Sequence, residues 1–292
     1  MSFEKFHDKY YKHLLLIPLA LVIFSFIYLG IFYFSTGDFF VKDISLAGGT
    51  SATISGNNFD LDKLQSDLGN KLEELSIKNI YDIVSMEQKA VVFETKTDGD
   101  TTKKILEEYL GYSLDEDNSS FEYTGSSLSS SFYKQLLIAV IFAFLLMSLV
   151  VFVQFRTFVP SGAVIFSAFA DILMALVVVD LMGMKLSSAG IVAFLMLIGY
   201  SVDTDILLTT RLLKRGQGEL NTKIYEAFKT GMTMTLTSIL AIGFALVIVY
   251  SFSAVLSQIF TILLIGLVFD MLNTWLTNVS ILKWYVLRRD KK

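Results

Sequence analysis

The chain has 292 residues, 53% of them hydrophobic, and its mean hydropathy of +0.58 is higher than is usual for a soluble protein of this length. It has no cysteine and only two histidines, which excludes a disulfide framework and a cysteine metal site and argues against a zinc centre. The net charge of −4 becomes informative only when it is divided between the two sides of a membrane. We therefore interpret the chain as an integral membrane protein without a cofactor.

The first apolar segment runs from about residue 14 to residue 34 and follows a basic start that contains Lys5, Lys9 and Lys12. This length suits the hydrocarbon core of a bilayer, which takes about 20 helical residues at roughly 1.5 Å each. A secretory signal has a shorter apolar region and a cleavage site of small residues. We predict that residues 1–34 form a cytoplasmic N-terminus and an uncleaved first transmembrane helix.

Residues 35–132 form a polar insert with the patterning of a folded domain. Leucines at helical spacing after Asp60 predict a helix to about Leu75, and alternating or β-rich stretches predict strands. The expected order is β-α-β-β-α-β, which is that of a ferredoxin-like α+β module with two helices on one face of a four-stranded sheet. The predicted elements are a strand around 51–54, a helix over 60–75, strands over 79–85 and 90–95, a helix over 101–110 and a strand over 121–123.

Residues 133–292 contain five further apolar blocks, so the chain is predicted to have six transmembrane helices. Lysine and arginine concentrate in every second connection, and the positive-inside rule then places both termini in the cytoplasm of a cell-membrane protein. The large insert lies outside, where its acids outnumber its bases. The predicted blocks are 133–153, 158–181, 187–212, 231–250 and 254–275 with a tail to 282.

Four aspartates lie well inside these apolar blocks, Asp171, Asp203, Asp205 and Asp270, and Asp180 lies at the outer end of its block, where we expect it to be solvated at the interface. An ionised aspartate at the centre of a membrane helix costs roughly 2.5 to 3.5 kcal/mol on insertion scales, so these groups need partners, water or protons. One interpretation is structural, with hydrogen bonds from hydroxyls of the fifth helix. The other is functional, with at least one carboxyl protonated part of the time. The fifth-helix hydroxyls are those of Thr233, Thr235, Thr237 and Ser238.

Asp203 and Asp205 lie in the segment from Gly199 to Ile206, and they are the only charged residues of the block 187–212 before Arg211. Two residues on a helix turn about 200°, so the two carboxyls point to nearly opposite sides and cannot form one dyad. Gly199 and Ser201 are small and allow another helix to come close.

Three other patterns are weak on their own. The glycines of Gly48-Gly49-Thr50 are typical of a turn after the first helix. Asn118 begins a glycosylation triplet, a pattern that also arises by chance. The basic residues around 211–215 are interpreted as setting the orientation of a helix in the membrane, and we expect no binding of nucleic acid.

Taken together, these residues resemble the SecF branch of the SecD/SecF family, whose members are similar to half of an RND transporter. The resemblance covers nearly the whole chain. It rests on six helices, an external domain after the first helix, Gly48-Gly49-Thr50, Asp171 in the third helix, and the Gly199-Tyr200-Ser201 motif that precedes the aspartates and Arg211 in the fourth.

The resemblance implies an accessory to the Sec translocon, not an enzyme, that acts with SecD in the lipid bilayer to promote export or membrane insertion of preproteins. It also implies coupling to protons. The bacterial pattern Gly-Tyr-Ser-x-Asn-Asp-Thr places the proton-carrying aspartate at Thr204, between Asp203 and Asp205, and this departure suggests an archaeal branch. It leaves open whether Asp203, Asp205 or neither of them has that role. The family's histidine before the third-helix aspartate is Ala170 here.

Three alternatives remain open at this point. The chain could be a structural scaffold that stabilises SecD without proton coupling, or half of an RND-type exporter of small molecules. An intramembrane aspartyl protease built from Asp171 and Asp203 would need the two carboxyls within a few ångströms of each other, and the sequence lacks that family's Gly-x-Gly-Asp pattern.

Overall fold

The computed structural model describes residues 13–81, 85, 87–214, 219–250 and 253–289. It is mostly helical, and six of its helical segments are long and apolar enough to cross a membrane. The basic residues Lys5, Lys9 and Lys12 lie outside the described residues. The membrane helices are α1 (Leu16–Thr36), α5 (Ser126–Phe155), α6 (Phe158–Leu181), α7 (Ser188–Leu213), α8 (Leu220–Val249) and α9 (Ala254–Leu272), which continues through a π-helical turn (Asn273–Asn278) into α10 (Val279–Arg289).

The middle of the helical bundle is formed by α6 and α7, whose apolar spans are mostly buried, whereas α5 and α8 are mostly exposed. Helix α1 packs on α6, where the Tyr28 hydroxyl donates to Asp180 Oδ2 at 2.8 Å. Asp180 was expected to be solvated at the outer interface, but only 7% of it is exposed. Its carboxylate therefore joins two helices.

Two membrane helices are longer than the hydropathy of the sequence predicts. Helix α8 begins at Leu220 and not at 231, and α5 begins at Ser126 and not at 133. Polar first turns such as Asn221 and Thr222 extend the helix beyond the apolar span. Hydropathy marks the part of a helix that matches the bilayer, not the residue where the helix begins.

Between α1 and α5 lies a small domain with a four-stranded antiparallel sheet of order β2-β3-β1-β4. Two helices cover one face of the sheet, and Phe93, Ile54 and Leu106 are at the centre of that core. The elements are α2 (Ile44–Ala47), β1 (Gly49–Ser55), α3 (Leu61–Leu68), β2 (Ser76–Tyr81), β3 (Gln88–Thr95), α4 (Gly99–Leu110) and β4 (Ser119–Thr124).

The predicted bounds of two of these elements are wrong. Helix α3 ends at Leu68, before Gly69, yet Leu72 is still buried because the irregular turn that follows returns it to the core. Strand β2 begins at Ser76, three residues before the prediction, and residues 82–84 lie outside the described part of the chain. Leucine spacing predicted the buried positions correctly but not the end of the helix.

Aspartates begin both helices that cover the sheet. Asp60 Oδ1 accepts from the backbone N–H groups of Asp62 and Lys63, and the Asp98 side chain accepts from Thr101 N at 3.0 Å. Such caps satisfy backbone donors that the first helical turn leaves unpaired. The backbone N–H of Thr101 also lowers the pKa of Asp98, because it stabilises the carboxylate.

The domain is attached to the membrane helices through the segment that precedes β1. The Leu186 N–H donates to Val41 O at 2.7 Å, the Asp43 N–H donates to Leu186 O at 3.0 Å, and the Ser188 N–H donates to Ser45 Oγ at 3.1 Å. These bonds connect the start of α7 to the start of the sheet. The start of α7 and the small domain are thus hydrogen-bonded to each other directly.

A charged pair lies on the face of the sheet opposite its two helices. Lys78 Nζ on β2 donates to both oxygens of Glu94 on β3, at 2.7 and 2.8 Å. Burial raises the pKa of Glu94, and the nearby carboxylate of Asp43 adds to that shift while Lys78 opposes it.

Candidate functional site

Three carboxylates from three helices lie in the interior of the bundle: Asp171 on α6, Asp205 on α7 and Asp270 on α9. All three are fully buried, with 0% of each residue exposed. No lysine or arginine occurs in α6, in α9, or in α7 before Arg211. The three helices that carry the carboxylates therefore supply no cation to them within the bundle, and hydrogen bonds must compensate at least part of the cost of burying them.

Asp171 has a partner on each of its oxygens. The Ser201 hydroxyl on α7 donates to Asp171 Oδ2 at 2.5 Å, and Asn273 Nδ2 in the π-helical turn donates to Oδ1 at 2.7 Å. The resemblance motif therefore contributes Ser201 directly to the buried site. A carboxylate that accepts from two donors on different helices is suited to holding those helices together.

Asp205 and Asp270 are less completely satisfied. Asp205 Oδ1 accepts from Thr274 Oγ1 at 2.9 Å and from Asn278 Nδ2 at 2.7 Å, while Asp270 Oδ1 lies 3.2 Å from the same Thr274 hydroxyl. The second oxygen of each, Oδ2, has no hydrogen-bond partner among the described residues. When ionised, each of these two carboxyls would thus keep one buried oxygen without a hydrogen bond.

The Thr274 hydroxyl lies between two acid groups, although it carries a single hydrogen. It can donate to only one of the two carboxylates at a time, and its lone pairs can accept from the other. Both short contacts become hydrogen bonds when one carboxyl is protonated and donates to Thr274. The geometry therefore fits a single proton held on the chain Asp205–Thr274–Asp270.

Asp203 lies on the opposite side of α7 from Asp205, as the helical spacing predicts. It is exposed, together with Gly199 and Tyr200, of which 42% is exposed. Val192 and Met196 continue this exposed strip toward the start of the helix. We call Val192, Met196, Gly199, Tyr200 and Asp203 the outward face of α7.

Thr204, where the bacterial pattern places its aspartate, is buried and packs toward α8. A Cβ atom added to Gly231 on that helix would lie 3.2 Å from Thr204 Cγ2. Arg211 lies in the last turn of α7. Neither residue belongs to the group of buried carboxylates.

The Gly48-Gly49-Thr50 motif has a role in the backbone of the small domain. Gly49 has a φ of +145°, and a Cβ there would overlap the carbonyl oxygen of Thr95. The Thr50 hydroxyl donates to Thr97 O at 2.7 Å. The motif thus allows β1 to begin directly against the end of β3.

Apart from Ser201, the polar partners of the buried carboxylates come from a part of the chain that the sequence analysis did not single out. Hydroxyls of the fifth membrane helix were expected as donors, but those of Thr233 and Thr237 bond the backbone of their own helix. The actual partners are Asn273, Thr274 and Asn278 in the last membrane segment. Their signal in the sequence is a cluster of two asparagines and two threonines within six residues of an otherwise apolar block.

In the described part of the chain, no group of three or more His, Asp or Glu side chains is placed to hold a metal ion.

Comparison with known proteins gives the family. Residues 101–288 match the family model described as "Protein export membrane protein SecD/SecF, C-terminal". The chain belongs to the SecD/SecF family. A protein-export membrane protein SecF of Methanocaldococcus jannaschii is 42% identical over 95% of this chain and 96% of its own length. A SecF of Methanolacinia petrolearia is 38% identical over 96% of this chain and 95% of its own.

The fold is that of a solved family member. The crystal structure of SecDF from Thermus thermophilus, described as a translocon-associated membrane protein, superposes with a TM-score of 0.76 at 18% identity. The match covers 100% of this chain and 39% of the SecDF chain, so this chain spans about two fifths of that protein. The remainder of the SecDF chain lies outside this match.

Proposed function

We propose that this chain is an accessory subunit of the Sec translocation machinery, which acts with SecD to promote export or membrane insertion of preproteins and uses the proton gradient. Two relatives that match it over nearly their full length are named protein-export membrane proteins. The single observation that carries the coupling is the Thr274 hydroxyl between two buried carboxyls, each with a spare oxygen. The Asp205→Asn experiment in the Discussion tests it.

Among the candidate residues, we propose that Asp205 and Asp270 bind the proton. We propose that Asp171 has a structural role. Both oxygens of Asp171 already accept hydrogen bonds, whereas Asp205 and Asp270 each keep one free. Protonating Asp205 removes a buried charge, and this can change how α7 packs on α9. Since the start of α7 is bonded to the segment before β1, the change would reach the external domain.

We propose that SecD contacts this chain at the outward face of α7. An ionised Asp203 exposed to lipid near the middle of a helix would cost roughly 2.5 to 3.5 kcal/mol, so another membrane helix with a polar group is the better neighbour. Gly199 lies on the same face and has no side chain, so it allows that helix to approach closely.

We further propose that the small domain is a ferredoxin-like module on the extracytoplasmic side and that both termini are cytoplasmic. The element order β-α-β-β-α-β and the strand order β2-β3-β1-β4 support the first part. The distribution of lysine and arginine among the connections supports the second.

Cysteine labelling tests this topology, because the chain has no cysteine of its own. Lys104→Cys on α4 and Thr222→Cys in the first turn of α8 both replace exposed residues. In sealed cells, a membrane-impermeant maleimide should label position 104 at once and position 222 only after permeabilisation. The reverse order would invert the topology.

We propose that preproteins bind in a cleft of about 820 Å³, which lies between the small domain and the connections at the outer end of the bundle. Residues 78–81, four in succession on β2, all line it, although neighbouring residues of a strand point to opposite faces. The cleft therefore includes the edge of β2, and it extends over the sheet face opposite the helices, where Val92 of β3 lines it. The edge of a sheet offers unpaired backbone groups to an extended chain of any sequence, as exported polypeptides require.

A photo-crosslinker tests this assignment, and the two edge strands provide a matched pair. Tyr81 on β2 lines the cleft with 37% of it exposed, and Tyr123 on β4 lies at the other edge with 65% exposed. With benzoylphenylalanine at position 81, we expect an adduct with a polypeptide arrested during export, and none from position 123. Adducts of equal yield from both positions would contradict the assignment.

A further inference from the structure

The last membrane segment contains one turn of π-helix, Asn273–Asn278, between α9 and α10. The N–H of Val279 donates to the carbonyl of Thr274, a bond that spans five residues where an α-helix spans four. Five of the six residues of the turn are buried. The turn also lies at the level of the buried carboxylates.

This turn places two asparagines on one face of the helix. In an α-helix, residues five positions apart are separated by about 500° of rotation and point about 140° apart. The i to i+5 bonding of the turn brings them closer to alignment. Asn273 Nδ2 can then reach Asp171 on α6 while Asn278 Nδ2 reaches Asp205 on α7, both at 2.7 Å.

Asn278 and Asp205 each have one side-chain oxygen that makes no hydrogen bond to the described residues. Asn278 is fully buried, and neither its Oδ1 atom nor Asp205 Oδ2 has a hydrogen-bond partner among the described residues. An ionised carboxylate only accepts hydrogen bonds, while a protonated one also donates. A primary amide carries both a donor and an acceptor, so rotating it exchanges the group that it offers.

We propose that Asn278 is a positioning residue that holds Asp205 in both of its protonation states. With Asp205 ionised, the Asn278 amide donates to Oδ1, as in the structure. With Asp205 protonated, the amide turns and its oxygen accepts the carboxyl hydrogen. The Asn278–Asp205 hydrogen bond is thus kept, with its direction reversed, when the proton moves onto Asp205 and off again. This inference rests on the proposed function, in which Asp205 carries the proton.

The test is Asn278→Leu, which keeps a similar volume but removes donor and acceptor, in the full chain assembled with SecD in membranes. Infrared difference spectra between acid and alkaline pH report the carboxyl band that Asp205→Asn abolishes. We expect that band to move to higher frequency because its hydrogen bond is lost. We also expect export driven by the proton gradient to fall about fivefold, the equivalent of about 1 kcal/mol for one hydrogen bond.

Thr277→Val is the matched control, because Thr277 is buried in the same turn but donates to Asn273 and not to a carboxylate. It should leave the band in place. Should Asn278→Leu fail to fold, Asn278→Ala, which only removes atoms, takes its place with the same expected shift. An unchanged band in a folded Asn278 variant overturns the role of this residue, even where Asp205→Asn stops export. Normal export by Asp205→Asn would instead refute the coupling itself.

Discussion

Replacing Asp205 with asparagine is expected to abolish the effect of the membrane potential on export while leaving the subunit folded. The amide keeps the shape of the side chain but cannot bind the proton that we propose Asp205, Thr274 and Asp270 share. A potential of 100 mV supplies about 2.3 kcal/mol per proton, which corresponds to about fifty-fold in an equilibrium. The measurement is the export of a secreted protein into sealed vesicles with and without the gradient.

Asp203→Asn is the contrasting variant, two residues away on the same helix with the same change of chemistry. Its side chain is exposed on the outward face of α7 and does not belong to the buried site. We expect export by this variant to keep its dependence on the gradient. Gradient-driven export at the normal rate in Asp205→Asn would refute the proton relay and leave the scaffold function as the better account.

The sequence predicts that Asp203 and Asp205 face opposite sides, because that follows from helix geometry alone. It does not predict which of them faces the interior. That depends on how α6 and α9 pack against α7, and the apolar residues around the motif are compatible with either orientation. The exposed strip formed by Val192, Met196 and Tyr200 becomes visible only when the helices are assembled.

The partners of the carboxylates were predicted less well than the carboxylates themselves. Threonines of α8 offered hydroxyls at helical spacing, but a membrane helix can satisfy a hydroxyl with its own carbonyl four residues earlier, and Thr233 and Thr237 do so. Asn273 and Asn278 are five residues apart, a spacing that an α-helical projection places on different faces. The π-helical turn changes that projection, and a hydropathy pattern carries no signal for it.

Substituting leucine at Gly199 is expected to prevent association with SecD without unfolding the chain. An added Cβ at Gly199 meets nothing within 4 Å, so the isolated subunit has room for the larger side chain. On the outward face of α7, however, leucine would hold a partner helix away from Asp203, and the close contact that small residues permit would be lost. The measurement is the amount of SecD that co-purifies with a tagged subunit, relative to the unsubstituted chain.

The same substitution at Gly266 provides the opposite outcome. A Cβ at this position of α9 would overlap the side chain of Leu197 on α7, inside the buried contact between the two helices. Overpacking of a filled core costs about 1 to 3 kcal/mol and sometimes more, so Gly266→Leu should reduce the yield of folded protein itself.

A Gly199→Leu variant that folds and still recovers the full amount of SecD would show that the partner lies elsewhere, and Asp203 would then need a different neighbour. If SecD is lost only from Gly199→Leu preparations that remain folded, the outward face of α7 is the interface, because glycine is required there by a second chain and not by this one.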